Sequence, residues 1–206
     1  MKVHYLAPEI IQKKVDEFCD LYPRANTIPV DVEKLIEIDL KLQIIPIASL
    51  KPKCDTDALL SNDLRSVLVD LEQFVNEKNL NRLRFTFAHE IGHLILHSDL
   101  FKLFKFSSVD DWISTFNNFE DKLYKDIEFQ ANEFAGRLLI PPNKLIEVVN
   151  QMQDKIEMWK NSTSLPVSNN FIEYIARTIS QVFGVSQKVA QIRIEKEKIF
   201  KELFDN

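Results

Sequence analysis

Cysteine is nearly absent. Cys19 and Cys54 are the only two in 206 residues, too few and too irregularly spaced for a disulfide framework or a thiolate metal site. Glycine is scarce as well, at three residues, which excludes a collagen-like or glycine-rich low-complexity chain. No apolar run approaches the roughly eighteen residues of a membrane-spanning helix. The N-terminal stretch MKVHYLAPEIIQKKVDEF is charged from Glu9 onward and has no uninterrupted apolar core of signal-peptide length. These absences predict a cytoplasmic protein with idle thiols and no membrane partner. An excess of positive charge is also missing: 26 basic against 31 acidic residues leave a net charge of −5. No global field therefore attracts a polyanion, and nucleic-acid binding needs a local patch.

What is present is apolar mass. A composition 45% hydrophobic and 28% charged, with fifteen phenylalanines, supplies a core and predicts a helix-rich globule that folds alone. Ile10, Ile11, Val15, Phe18 and Tyr22 recur at helical spacing over 8–22 until Pro23, and Val32, Leu35 and Ile36 do so over 31–38. Residues 42–48 read as a strand. The runs 58–60 and 66–69, separated by Ser61, Asn62 and Asp63, suggest a hairpin or meander rather than a parallel sheet. Leu83, Phe87, Ile91, Leu94 and Ile95 mark one face of a helix over 81–97. Residues 98–118, with Phe101, Phe104, Phe106, Trp112 and Phe116, read as an irregular aromatic segment, either a cover over that helix or a loop buried by its own rings. A long helix over 120–139 is halted by Pro141 and Pro142, another runs over 143–160, and 161–170 is a polar linker. Two last helices, 171–182 and 186–202, meet at Gly184, Val185 and Ser186.

The helix over 81–97 contains His89-Glu90-Ile91-Gly92-His93. Residues four apart share a helix face, so two imidazoles in this His-Glu-x-x-His spacing can hold one ion. With four histidines and sixteen glutamates in 206 positions, random placement yields the pattern only about 0.006 times per chain. Catalytic zinc uses three protein ligands and leaves a fourth position to water. Glu90, beside the first histidine, is placed to take that water's proton.

A third ligand is expected on the helix over 120–139. There Ile127, Ala131, Phe134, Ala135 and Leu138 form a buried stripe that Glu128 and Asn132 border. Glu128 is the candidate ligand. Asn132 is the candidate acceptor for the free N–H of a ligand histidine. The small Ala131 and Ala135 allow the two helices a close approach. Asp126 and Glu133 read as solvated acids. His97 continues the row of histidines about 80° around the helix from His89. It either reaches the mouth of the site, as a support for the ligands like Asn132 or as a metal ligand in competition with Glu128, or, before Ser98 and Asp99, sits at the surface as a partner of the helix C-terminal dipole. Arg82 and Arg84 read as surface charges or salt-bridge partners.

The string Arg84-Phe-Thr-Phe-Ala-His-Glu-Ile-Gly-His-Leu-Ile-Leu-His97, followed by Glu128-Phe-Gln-Ala-Asn-Glu-Phe-Ala-Gly-Arg-Leu-Leu-Ile-Pro141, resembles the ImmA/IrrE family of cytoplasmic metallo-endopeptidases. The resemblance covers residues 28–141 well and, more loosely, 175–193, which are similar to the helix-turn-helix-like tail of such proteins. It implies zinc held by His89, His93 and Glu128, with Glu90 as the catalytic base. It also implies a helix-turn-helix transcriptional repressor as the protein substrate. The fold expected is α+β: a mostly helical zincin-like core over 28–141 with a small β-sheet, and a helix-turn-helix-like helical tail over 171–206.

The tail also poses a DNA question. Lys188, Arg193, Lys196, Lys198 and Lys201 stand against Glu195, Glu197 and Glu202, a surplus of two charges. Phosphate contact takes several unopposed cations, and base recognition needs donors early in the second helix, where Gln187, Lys188 and Gln191 are available. Packing on the core or docking of a partner repressor is therefore the favoured role of the tail. Two rivals to the peptidase stand: a DNA-binding or repressor-docking module with an idle metal motif, and a zinc-bearing, chaperone-like partner that does not cleave.

Overall fold

The computed structural model describes residues 5–103, 109–117, 121–162 and 169–197. Phe104, Phe106, the Phe116 side chain, most of the linker and the cations Lys198 and Lys201 lie outside the described residues. Helix α1 (Pro8–Leu21) has proline in its first turn, where no backbone N–H is needed, and buries Ile11, Val15 and Phe18. A short α2 (Val32–Lys34), capped by the Asp31 carboxylate, continues into a wider turn over Leu35–Asp39. Then come β1 (Gln43–Ile47), α3 (Leu50–Cys54), β2 (Ala58–Leu60), β3 (Ser66–Asp70) and α4 (Leu71–Val75). The rest is helical: α5 (Leu80–Phe101), α6 (Val109–Asn117), α7 (Asp121–Leu139), α8 (Pro142–Asn150), α9 (Gln153–Ser162), α10 (Asn169–Phe183) and α11 (Gln187–Lys196). The chain is thus a mostly helical α+β protein with one small sheet.

That sheet is mixed, in the order β1-β3-β2. β2 and β3 form the expected antiparallel hairpin, but β1 runs parallel to β3, against the expectation of a sheet without parallel pairing. The crossover through α3 carries β1 to the far side of β3. Val67 and Val69 are wholly buried, which suits β3 to the centre. β2 is an edge strand. Ser61 N–H reaches Ser66 O at 2.9 Å and Asp70 N–H reaches Asp57 O at 2.8 Å. By antiparallel alternation, the backbone groups of Ala58 and Leu60 therefore point away from β3, toward α5.

Three helical boundaries differ from the periodicity reading. α5 runs one turn past His97 because Leu100 and Phe101 extend its buried stripe with no breaker between. The segment expected to be irregular contains α6. The helix expected over 143–160 is two, α8 and α9, divided where Met152 turns into the core and the N–H groups of Gln151 and Met152 bond Glu147 O and Val149 O. No glycine or proline marks that break.

The tail is fastened at two places. Gly184, at φ +61°, makes the turn between α10 and α11 in a conformation few other residues adopt. Arg84 on α5 donates to Gly184 O and, at 3.2 Å, to Val30 O, while Asn81 Nδ2 reaches Val185 O at 3.2 Å. The second fastening corrects the expectation that Glu133 is solvated. Glu133 is buried among Arg193, Lys196 and Arg137, and Arg193 also bonds Glu197. Its helix is wound so that Glu133 faces α11, and Gly136 leaves room for the Arg193 stem, whose Cδ would stand 3.0 Å from a Cβ there. Arg193→Met leaves Glu133 with Lys196 and Arg137 but removes its buried partner on α11, and is expected to destabilise the protein by about 1–3 kcal/mol. Urea unfolding checks this, with a loss under about 1 kcal/mol contradicting a fastening role.

Candidate metal centre

α5 and α7 touch at Gly92. A Cβ at that position would lie 3.0 Å from Ala131 O and 3.1 Å from Ala131 Cα, so the glycine hydrogen and the alanine methyl set how closely the helices approach. The functional side chains stand around this point at matching offsets. His89 and His93 sit three residues before and one after Gly92, and Glu128 and Asn132 sit likewise around Ala131. Each pair is four residues apart and shares one face of its helix.

The donor atoms converge. His89 Nε2 lies 2.9 Å from His93 Nε2, and the Glu128 carboxylate oxygens lie 3.3 Å from each of those nitrogens. Bonds of about 2.0–2.1 Å to one tetrahedral ion separate its ligand atoms by about 3.3–3.4 Å. The imidazole–carboxylate spacings match that edge, and the imidazole pair is a few tenths of an ångström tighter. Two imidazole nitrogens and one carboxylate form a donor set suited to a divalent cation. Behind it, Asn132 Oδ1 lies 3.1 Å from His89 Nδ1, positioned to accept the N–H that leaves Nε2 free.

Glu90 points into the same recess, with its carboxylate accepting the N–H of Leu60 on β2. The recess has a volume of about 50 Å³ and is walled by Leu59 and Leu60 on one side and by Phe101, Trp112 and Tyr124 on another. That is far below the several hundred cubic ångströms of a small-molecule pocket. Water or one side chain fits inside, and a larger ligand must lie across the mouth. Trp112 comes from α6, so the segment from 98 to 118 does contribute to the cover.

Burial and mutual charge divide the acid–base roles. Burial, reinforced by the Glu128 charge, pushes the Glu90 carboxyl up to about 8, against the opposing pull of His89 and Leu60. Burial would raise Glu128 also, but its close contacts with the His89 and His93 rings hold it far below the usual carboxylate range. Burial, aided by the His89 charge, lowers His93 to about 4. His89 is pulled down by burial, yet its bond to Glu128 and the charges of Glu90 and Glu128 carry it above the ordinary imidazole value. Tyr124 is driven to about 12 by burial and by the same two acids, so its phenol keeps its proton at neutral pH.

The remaining candidates fall elsewhere. His97 is neither at the mouth nor at the surface. It is buried one turn behind His93, with Nδ1 3.1 Å from His93 Nδ1 and Nε2 3.1 Å from Gln130 Oε1; because α5 continues to Phe101, His97 is not a terminal residue. Asp126 is half-buried and takes no part in the donor cluster. Arg82 pairs with Asp57. The sequence reading missed Gln130, Tyr124 and Gly92, although each left a signal. Gln130 interrupts an apolar stripe, Tyr124 stands one turn before Glu128, and a glycine in mid-helix costs about 1 kcal/mol against alanine unless something needs the space.

A family model described as Peptidase M78, IrrE N-terminal-like domain, matches residues 74–195. The match runs from the end of α4 through α11, so it includes the tail and leaves out the sheet. No curated protein matches the chain significantly.

Two predictions follow from this geometry. Gly92→Leu drives a side chain into the α7 backbone and is expected to cost about 1–3 kcal/mol in thermal unfolding, together with most of the zinc affinity; unchanged zinc affinity would contradict the contact. The second concerns pH. His89 holds its proton more tightly than a free imidazole, and a cation must displace it, so affinity falls as pH drops below the raised His89 pKa. Competition titration against a chromophoric chelator should show zinc affinity rising about tenfold per pH unit toward a plateau. A flat profile would contradict the coupling.

Proposed function

The chain belongs to the Peptidase M78 family of IrrE N-terminal-like domains, and from that membership we propose that it is a zinc-dependent endopeptidase centred on His89, His93, Glu128 and Glu90. The observation that carries this reading is the pair of 3.3 Å spacings from the Glu128 carboxylate to the two imidazoles. His89 and His93 present Nε2, and Glu128 presents its carboxylate as the third ligand. Zinc bound there supplies Lewis acidity, polarising a carbonyl and bringing the pKa of water to about 7.

The residues of the chain do the rest. Glu90 accepts the proton of the attacking water and delivers it to the leaving amine; a group whose proton affinity is already raised by burial is suited to both halves of that transfer. Asn132 holds the His89 ring. The substrate lies across the mouth of the narrow recess, its scissile bond beside Glu90. Phe101 and Trp112 favour an apolar side chain next to that bond. Tyr124, protonated at neutral pH, is a hydrogen-bond donor at the same wall.

The substrate is a folded or partly unfolded protein, and the family resemblance makes a helix-turn-helix repressor the first choice. The cytoplasm is the expected compartment: among the described residues no helix is long and apolar enough to cross a membrane, and Cys19 and Cys54 are free thiols. A DNA-binding role for the tail draws no support. Arg193 is buried and Lys196 pairs with Glu133, while the Gln187 side chain is spent on Glu173 O. Among the described residues of α11 only Lys188 remains as an unopposed cation, too few for phosphate contact.

Replacing Glu90 with Gln keeps the shape of the site and removes its base. The Glu90→Gln protein is expected to retain one zinc per chain by elemental analysis and to lose cleavage of a co-expressed repressor by at least about 100-fold. Full cleavage by that variant would remove Glu90 from the mechanism. An intact repressor with the wild type as well would favour a non-cleaving, zinc-bearing partner.

A further inference from the structure

Behind the two imidazoles of the centre, three side chains run in file into the α5–α7 interface. His93 Nδ1 lies 3.1 Å from His97 Nδ1, and His97 Nε2 lies 3.1 Å from Gln130 Oε1. All three are sealed from solvent, with exposures of 4%, 3% and 0%. Both contacts need a proton, and a buried polar contact left without one is costly.

With the Gln130 amide oxygen turned toward His97, one arrangement supplies them. The Gln130 amide oxygen carries no hydrogen, so the proton of that contact sits on His97 Nε2. A neutral imidazole carries one N–H, which leaves His97 Nδ1 bare and makes it the acceptor. The proton between the two rings then belongs to His93 Nδ1. His93 is left with a bare Nε2, the atom that faces His89 Nε2 at 2.9 Å and Glu128 Oε1 at 3.3 Å.

We propose that His97 and Gln130 are positioning residues that fix the His93 ring as its Nδ1–H tautomer, so that its Nε2 lone pair faces the metal centre before any ion arrives. This rests on the reading of His89, His93 and Glu128 as metal ligands. It differs from a merely packed histidine in one respect: the role requires an acceptor toward His93 and a donor toward Gln130, in that order. The two ligand histidines are thereby set by different devices. Asn132, which faces His89, is exposed, and water can replace it. Nothing can replace the buried file behind His93.

The order of donor and acceptor defines the variants. Glutamine at position 97 offers an oxygen to accept from His93 and an amide N–H to donate to Gln130, whereas leucine offers neither. Zinc dissociation constants from chelator competition are expected to weaken by about 10–100-fold in His97→Leu and in Gln130→Leu. His97→Gln and Gln130→Glu should recover most of that loss. Equal zinc affinity in wild type and a folded His97→Leu protein would overturn the proposal, as would equal loss in His97→Leu and His97→Gln. A second measurement needs no variant and no metal. Long-range proton–nitrogen correlation spectra of the 15N-labelled, metal-free protein should show His93 protonated at Nδ1 and His97 at Nε2. The reverse tautomers would refute the relay. If the wild type binds no zinc, the metal reading fails, yet the spectrum still decides the order of the file.

Discussion

The centre exists because two helices touch where one has no side chain. Gly92 and Ala131 meet at backbone distance, and everything that follows is fixed by counting residues from that contact. The helical period places His89 and His93 on one side and Glu128 and Asn132 on the other. A side chain at position 92 would press on the Ala131 backbone and push the rods apart, disturbing the 3.3 Å spacings between Glu128 and the imidazoles. The sheet serves the same contact from the flank. Its edge strand β2 lies against α5 and holds Glu90 through the Leu60 N–H.

Burying so many ionisable groups in one protein demands that each be answered. In the centre the answer is mutual: Glu128 stays charged against the two imidazole rings, and Glu90, whose burial outweighs the pull of His89, takes up a proton more readily. Less than two turns along α7, Glu133 is answered by Arg193, Lys196 and Arg137, which ties the tail to the helix that carries Glu128. One helix therefore has two charged faces with different work. The four residues Glu128, Gln130, Asn132 and Glu133 each serve a different partner, namely the imidazole pair, His97, His89 and the tail. Two of the cations that a helix-turn-helix reading assigns to phosphate, Arg193 and Lys196, are consumed in this fastening.

Much of the site was legible in the sequence because it depends on local period. His89, Glu90 and His93 lie within one turn and a half, and Glu128 and Asn132 border an apolar stripe, so spacing alone marked them as candidates. The α+β class and most helix limits followed from apolar periodicity in the same way. What escaped depends on tertiary partners. Glu133 looked solvated because its answering arginine lies sixty residues on, at Arg193. His97 looked terminal because nothing in the local pattern told that Leu100 and Phe101 would carry the helix another turn into the core. The parallel pairing of β1 escaped because strand order is settled by burial of β3, which a list of short apolar runs does not rank. The family match to residues 74–195 reaches the tail, where the motif resemblance was loosest.

The claim on which all of this stands is that one cation is gripped by two helices through nitrogen and oxygen. X-ray absorption at the zinc edge of the protein loaded with one equivalent of metal tests it directly. The account predicts a four-coordinate ion with two imidazole nitrogens and light oxygen donors at about 2.0–2.1 Å, and no sulfur near 2.3 Å. A spectrum with a thiolate shell, or with six waters and no imidazole scattering, would contradict it.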